Sequence, residues 1–159
     1  MKLKTLSLRL ELVLIGMALC GLVVYGCFFP WLGRSIVLTA PEFAYCYYPW
    51  LILLWVTALP CYAALLLGWK IARNIGKDRA FTEETAKLLR WIARLAACDA
   101  GFFFLMNLVY LFLNMNHPGI VLVSLLIACA GAAVSVVCAG LSDLVKRAWK
   151  LQEQYDLTI

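Results

Sequence analysis

A chain of 159 residues that is 65% hydrophobic, with a mean hydropathy of +0.89, carries more apolar side chains than a soluble domain of that size can bury. A bilayer is its expected solvent, and the length leaves room for one membrane domain and no separate soluble one. The formal charge of +5 does not call for nucleic acid, because the cations are distributed along the chain as a membrane topology distributes them.

Four apolar stretches, approximately residues 12–32, 47–69, 95–113 and 119–142, are long enough to cross a hydrocarbon core, which takes roughly 20 helical residues. The first follows Lys2, Lys4 and Arg9 as a secretory signal would. Its apolar region is longer than such a signal, and no small-x-small cleavage site follows, so it is expected to be a retained span. Seven cations lie between the second and third stretches: Lys70, Arg73, Lys77, Arg79, Lys87, Arg90 and Arg94. Lys146, Arg147 and Lys150 follow the fourth, and Arg34 alone falls on the other side. Positive charge is retained on the cytoplasmic side. Both termini, the 70–94 loop and the 143–159 tail are therefore expected in the cytoplasm of a multi-pass inner-membrane protein. The expected fold is an all-α, antiparallel bundle of four transmembrane helices, with spans three and four extended into the cytoplasm.

Between the first two spans, "GRSIVLTAPEF" reads as a short external loop carrying Arg34 and Glu42. Phe28, Phe29, Trp31, Tyr45, Tyr47, Tyr48 and Trp50 surround it as an interfacial aromatic belt, an explanation that takes precedence over a ligand groove. Cys27 and Cys46 flank this loop and are the one pair placed for a disulfide. The odd total of seven cysteines and the membrane setting favour free thiols. Span two holds Pro49 in its first turn and Pro60 in its middle. Pro60 removes a backbone donor and predicts a kink that shapes the helix.

Gly76 is the expected terminator of the helix leaving span two. Thr82 then caps a new helix, with Glu83 and Glu84 in its positively polarised first turn. Nothing interrupts that helix until Asn114, a length of about 47 Å at ~1.5 Å per residue. The excess over the bilayer core predicts an amphipathic extension with Leu88, Leu89, Ile92 and Leu95 on one side. "NMNHPG" forms a tight turn, in which Asn116 or His117 caps span four and Pro118 takes the first helical position. So short a turn makes spans three and four an antiparallel hairpin. Span four carries small residues at four-residue spacing, Ser124, Ala128 and Ala132 on one ridge and Gly131, Ser135 and Ala139 on another. Such ridges permit close helix approach, either within the bundle, which is the simpler expectation, or across a homodimer. Leu141, Leu144, Val145, Ala148 and Trp149 continue span four as a second amphipathic extension, and the two extensions are expected to form a short stalk. The cations on these segments, Lys77, Arg79, Lys87, Arg90, Arg94, Lys146, Arg147 and Lys150, are the candidate partner-facing residues.

Three polar residues stand out as candidate functional groups. Asp99 lies about one turn beyond Arg94 inside span three, where a carboxylate is costly and often functional. An ion pair or hydrogen bond within the bundle accounts for it before a proton- or ion-coupling role does. Asn107 lies deeper in the same span, where a hydrogen bond to another helix suffices. His117 is the single histidine, and capping explains it before pH sensing does. No nucleophile elbow, phosphate loop or zinc-protease motif is present, and no Cys/His cluster suggests a metal. No enzymatic activity, cofactor or direct nucleic-acid binding is expected.

The stretches "PEFAYCYYPWLILLWVTALPCY", "NIGKDRAFTEETAKLL", "NMNHPG" and "LQEQYDLTI" resemble the bacterial membrane family DUF2975, a family of unknown function. The resemblance runs over residues 41–159, and Gly76, Phe81-Thr82 and the closing Asp156-Leu157-Thr158-Ile159 are its most specific marks. It implies four spans, in agreement with the count above, and it transfers no catalytic or ligand-binding residue. Members are often encoded beside a small helix-turn-helix regulator of the Cro/repressor type, which the resemblance implies as a partner. The leading expectation is an interaction or regulatory protein that acts through its basic cytoplasmic face. The alternative is a small transporter, channel or lipid-binding subunit with a polar site near Asp99. Immunity to a membrane-active agent is a weaker third reading.

Overall fold

The computed structural model describes residues 2–156 and is helical from end to end, apart from short turns. The family mark at Leu157, Thr158 and Ile159 lies outside the described residues. Helix α1 (Lys2–Val23) passes through one π-helical turn (Val24–Phe28) into α2 (Phe29–Thr39). A 3₁₀ segment (Pro41–Cys46) leads into α3 (Tyr47–Gly76), which is followed by α4 (Glu83–Phe112) and α5 (Pro118–Asp156). Four of the resulting rods are long and apolar enough to cross a membrane: Leu3–Thr39, Pro41–Gly76, Glu83–Phe112 and Pro118–Tyr155.

The first boundary differs from expectation. "GRSIVLTA" is not a loop, because the helix runs to Thr39 and breaks only at Ala40, whose φ of −138° and ψ of 81° are not helical. Pro41 is the reason, since a proline excludes the α conformation from the residue before it. The second boundary falls where expected but for a different reason. Gly76 is still helical, and the left-handed residue that turns the chain is Asp78, with φ 60°. A β-carbon on Gly76 would lie 2.6 Å from Ser7 Oγ, so this glycine admits α1 rather than reversing α3. Thr82 is the N-cap of α4, accepting from the Thr85 amide at 3.3 Å. His117 caps α5, its Nδ1 accepting from the Gly119 amide at 3.1 Å. All seven cysteines are free thiols.

The antiparallel helices pack in chain order, α1 and α2 on α3, α3 on α4, and α4 on α5, and α5 touches no other helix among the described residues. Between α4 and α5 the buried and half-buried positions of the contact alternate three and four apart. On α4 they are Ala86, Leu89, Ala93, Ala96, Ala100, Phe103, Asn107 and Tyr110; on α5, Ser124, Ala128, Gly131, Ser135, Cys138, Ser142 and Val145. That is the seam of a left-handed coiled coil, built here mostly from small side chains. The Ser135 and Ser142 hydroxyls donate across it to the carbonyls of Ala93 and Ala86, each at 2.7 Å. The two ridges expected on α5 are thus one stripe: Ala132 points away from it, as do Leu141 and Leu144. The stripe faces α4, so it is not a homodimer seam. Lipid is as apolar as leucine, so close backbone approach and hydrogen bonds, rather than water exclusion, hold this pair.

Candidate functional site

Three helices bring polar groups together inside the membrane-spanning region. The π turn widens α1 so that the Phe29 amide reaches back five residues to the Val24 carbonyl. Such a turn displaces one residue from the regular ladder and is frequent at functional sites. Here the Tyr25 carbonyl instead accepts the indole N–H of Trp55 on α3 at 3.1 Å. The Tyr25 phenol faces Thr57 and Cys61, with Asp99 close by. Thr57 and Cys61 share a face of α3, four residues apart, and flank Pro60, which cannot donate to the carbonyl four residues before it. The Cys61 thiol donates to Asp99 Oδ2 at 3.6 Å. Asp99 is half-buried and meets no cation, because the two ion pairs among the described residues lie elsewhere. Arg94, the expected neighbour, instead lays its guanidinium over the Trp91 ring, 5.3 Å from its centre. The cluster is therefore one carboxylate answered by a thiol, with a phenol and a hydroxyl alongside. Read singly, Tyr25, Thr57 and Cys61 carry no signal; the i, i+4 pair flanking a mid-span proline was the available clue.

Asn107 belongs to a second assembly at the opposite, aromatic-rich end of the helices. Its side chain is fully buried, donates to the Phe103 carbonyl at 2.8 Å, and accepts from the Asn116 amide at 3.0 Å. Around it, Tyr110 donates to the Pro49 carbonyl (3.0 Å), Tyr45 to that of Asn114 (3.1 Å) and Trp50 to that of Met115 (3.4 Å). Tyr45 and Trp50 therefore clamp the α4–α5 turn onto the start of α3, a role beyond that of belt anchors. Trp31 and Tyr48 stay exposed, as anchors should. His117 sits in the same turn but is occupied by its cap, so Asn107 and His117 do not form one site.

The structure sorts the cations at the other end. Lys87 pairs with Glu83 at 3.0 Å one turn earlier on α4, and Arg90 joins α4 to Asp143 of α5. Together with the Ser142 bond, this pair closes the foot of the seam. Lys77 and Arg79 lie in the α3–α4 turn, while Lys146, Arg147 and Lys150 lie on the last turns of α5, all of them exposed. Helix α5, at 39 residues, is about 58 Å long at ~1.5 Å per residue, against about 30 Å of hydrocarbon. Antiparallel register sets Ser142 beside Ala86, so α4 starts opposite Val145 or so and α5 continues alone beyond it. Starting on the face turned away from α4 and running into that free stretch, Leu144, Ala148, Leu151 and Tyr155 recur at i, i+4, i+7 and i+11. Leu144 is 64%, Leu151 57% and Tyr155 74% exposed.

Known proteins resemble the chain in sequence. A family model described as "Protein of unknown function (DUF2975)" matches residues 31–159, from α2 to the end, and leaves out α1. The "Uncharacterized membrane protein YoaS" of Bacillus subtilis (strain 168) is 31% identical over 160 residues, covering 99% of this chain and 99% of that protein. No solved structure matches.

Proposed function

We propose, on the premise that this chain belongs to the DUF2975 family, that it is an inner-membrane interaction protein whose basic end faces the cytoplasm and engages a protein partner there. The free end of α5 supports this reading. It presents an apolar stripe (Leu144, Ala148, Leu151, Tyr155) that no helix among the described residues covers, with Lys146, Arg147 and Lys150 on its other faces. An amphipathic helix with i, i+4, i+7 anchors suits a partner's apolar groove. The flanking cations draw an acidic rim toward it. Lys77 and Arg79 at the α3–α4 turn extend the basic face, whereas Lys87 and Arg90 serve the fold. The partner implied by the family resemblance is a small helix-turn-helix regulator encoded nearby, which the membrane protein would hold or control.

Co-purification in mild detergent of the full-length chain with that regulator tests the proposal. Association is expected to weaken at least tenfold in a Leu151→Glu, Tyr155→Glu variant, with the spans intact. Absence of association in any detergent, together with an unchanged cellular location of the regulator after deletion of the membrane protein, refutes it.

The intramembrane cluster supports a second reading, a small transporter, channel or lipid-binding subunit. Asp99 without a cation, beside a π turn and a mid-span proline, is a polar site in a costly place. Flux into liposomes carrying the parent and Asp99→Asn proteins tests it. Activity of the parent that is lost in the variant supports this reading, and equal flux through both removes it.

A further inference from the structure

A groove between α3 and α4 at the basic end belongs to neither of these sites. Leu66, Leu67, Trp69, Lys70 and Arg73 of α3 and Trp91 of α4 line an open space of about 600 Å³. We propose that it binds an anionic phospholipid, with the headgroup phosphate between Lys70 and Arg73 and an acyl chain along the leucines.

The order of residues along α3 carries the assignment. Leu66 and Leu67 come first, then Trp69 and Lys70, then Arg73 one turn on, so the wall passes from apolar through aromatic to cationic over about 10 Å at ~1.5 Å per residue. That gradient matches a bilayer leaflet from acyl chain to headgroup. Leu66 is 68% exposed, so the apolar part opens sideways, toward lipid. Trp91 forms the opposite wall and is held there by Arg94, stacked at 5.3 Å.

Charge selects the headgroup. No Asp or Glu lines the groove, and neither Lys70 nor Arg73 takes part in the two ion pairs among the described residues. Lysine and arginine three residues apart share a helix face, which sets two cations on one side of the opening. A basic pocket between helices at the cytoplasmic surface is suited to an acidic headgroup. A free phosphate would leave the leucine floor unfilled, and a zwitterionic lipid would bring its own cation against Lys70 and Arg73. A lipid with net negative charge fits both halves.

Native mass spectrometry of the full chain tests the proposal, with an equimolar mixture of phosphatidylglycerol and phosphatidylcholine of matched acyl chains. The first bound lipid is expected to be predominantly phosphatidylglycerol. The Lys70→Gln, Arg73→Gln variant should lose that preference by about 10- to 30-fold, because each cation near a charged surface is worth about fivefold. A Lys70→Arg, Arg73→Lys exchange should keep it, and so should Lys146→Gln, Lys150→Gln, which removes equal charge from α5. Millimolar inorganic phosphate should not displace the lipid. The proposal is overturned if the groove variant retains its preference while monodisperse and helical. Equal loss in the α5 variant overturns it too, since binding would then follow net charge alone. Displacement by phosphate would likewise count against a lipid site.

Discussion

Gly131 and Gly140 lie on the same helix, and replacing each with alanine should change stability in opposite directions. A β-carbon at Gly131 would sit 2.7 Å from Ala100 Cβ, 3.6 Å from the Ala96 carbonyl oxygen and 3.8 Å from Ala100 Cα. Carbon atoms pack best about 3.5–4.0 Å apart, so α4 and α5 must separate locally by roughly 1 Å. Overpacking of that kind costs about 1–3 kcal/mol. The Ser135 hydrogen bond to the Ala93 carbonyl, one turn away, stretches with it, at about 0.6 kcal/mol for a bond between membrane helices. Helix propensity returns up to about 1 kcal/mol. Gly131→Ala should therefore destabilise the protein by about 1–2 kcal/mol. At Gly140 nothing lies within 4 Å of the added carbon, and only the propensity gain remains, so Gly140→Ala should stabilise by up to about 1 kcal/mol. Unfolding in mixed dodecylmaltoside–SDS micelles, followed by circular dichroism, measures both. Adding Ala100→Gly to Gly131→Ala removes the opposing methyl, so the cost of the Gly131 change should largely vanish in that background. If Gly131→Ala is as stabilising as Gly140→Ala, the close contact at Ala100 does not exist and the small-residue seam is wrong.

Replacing Asn107 with Leu removes the shorter of the two bonds that the Asn116 amide makes and leaves it the Asn107 carbonyl at 3.3 Å, so the change should cost about 1 kcal/mol in the same assay. Because Asn116 lies in the α4–α5 turn, proteolytic nicking there should rise in parallel. Thr82→Ala removes the α4 cap and should cost about 1 kcal/mol, with faster amide exchange confined to the first turn after Glu83. Arg90→Gln breaks a partly exposed pair with Asp143 and should cost under about 1 kcal/mol, an effect that shrinks as salt is raised.

Properties that each residue carries alone were legible in the sequence. Hydropathy marked four spans, Thr82 announced α4, Asn116 or His117 announced α5, and Pro118 began α5 where its fixed φ belongs. The tight "NMNHPG" turn made α4 and α5 neighbours before any contact was known. The faces of the helices were not legible, and the bilayer is the reason. In water a buried face is apolar and an outer face polar, so periodicity reveals packing; in lipid both are apolar, and Leu144 reads like a core residue although it faces outward. What distinguishes the seam is small size at alternating three- and four-residue spacing, visible only once α4 and α5 are set in register. Tertiary structure likewise gave Gly76 its purpose, because Ser7 arrives from 69 residues earlier in the chain. It also answered Asp99 with Cys61 of another helix rather than with Arg94, one turn away. Sequence set the helices and their ends, and packing alone chose their partners, since contact in a uniformly apolar solvent depends on shape and hydrogen bonds that no single segment contains.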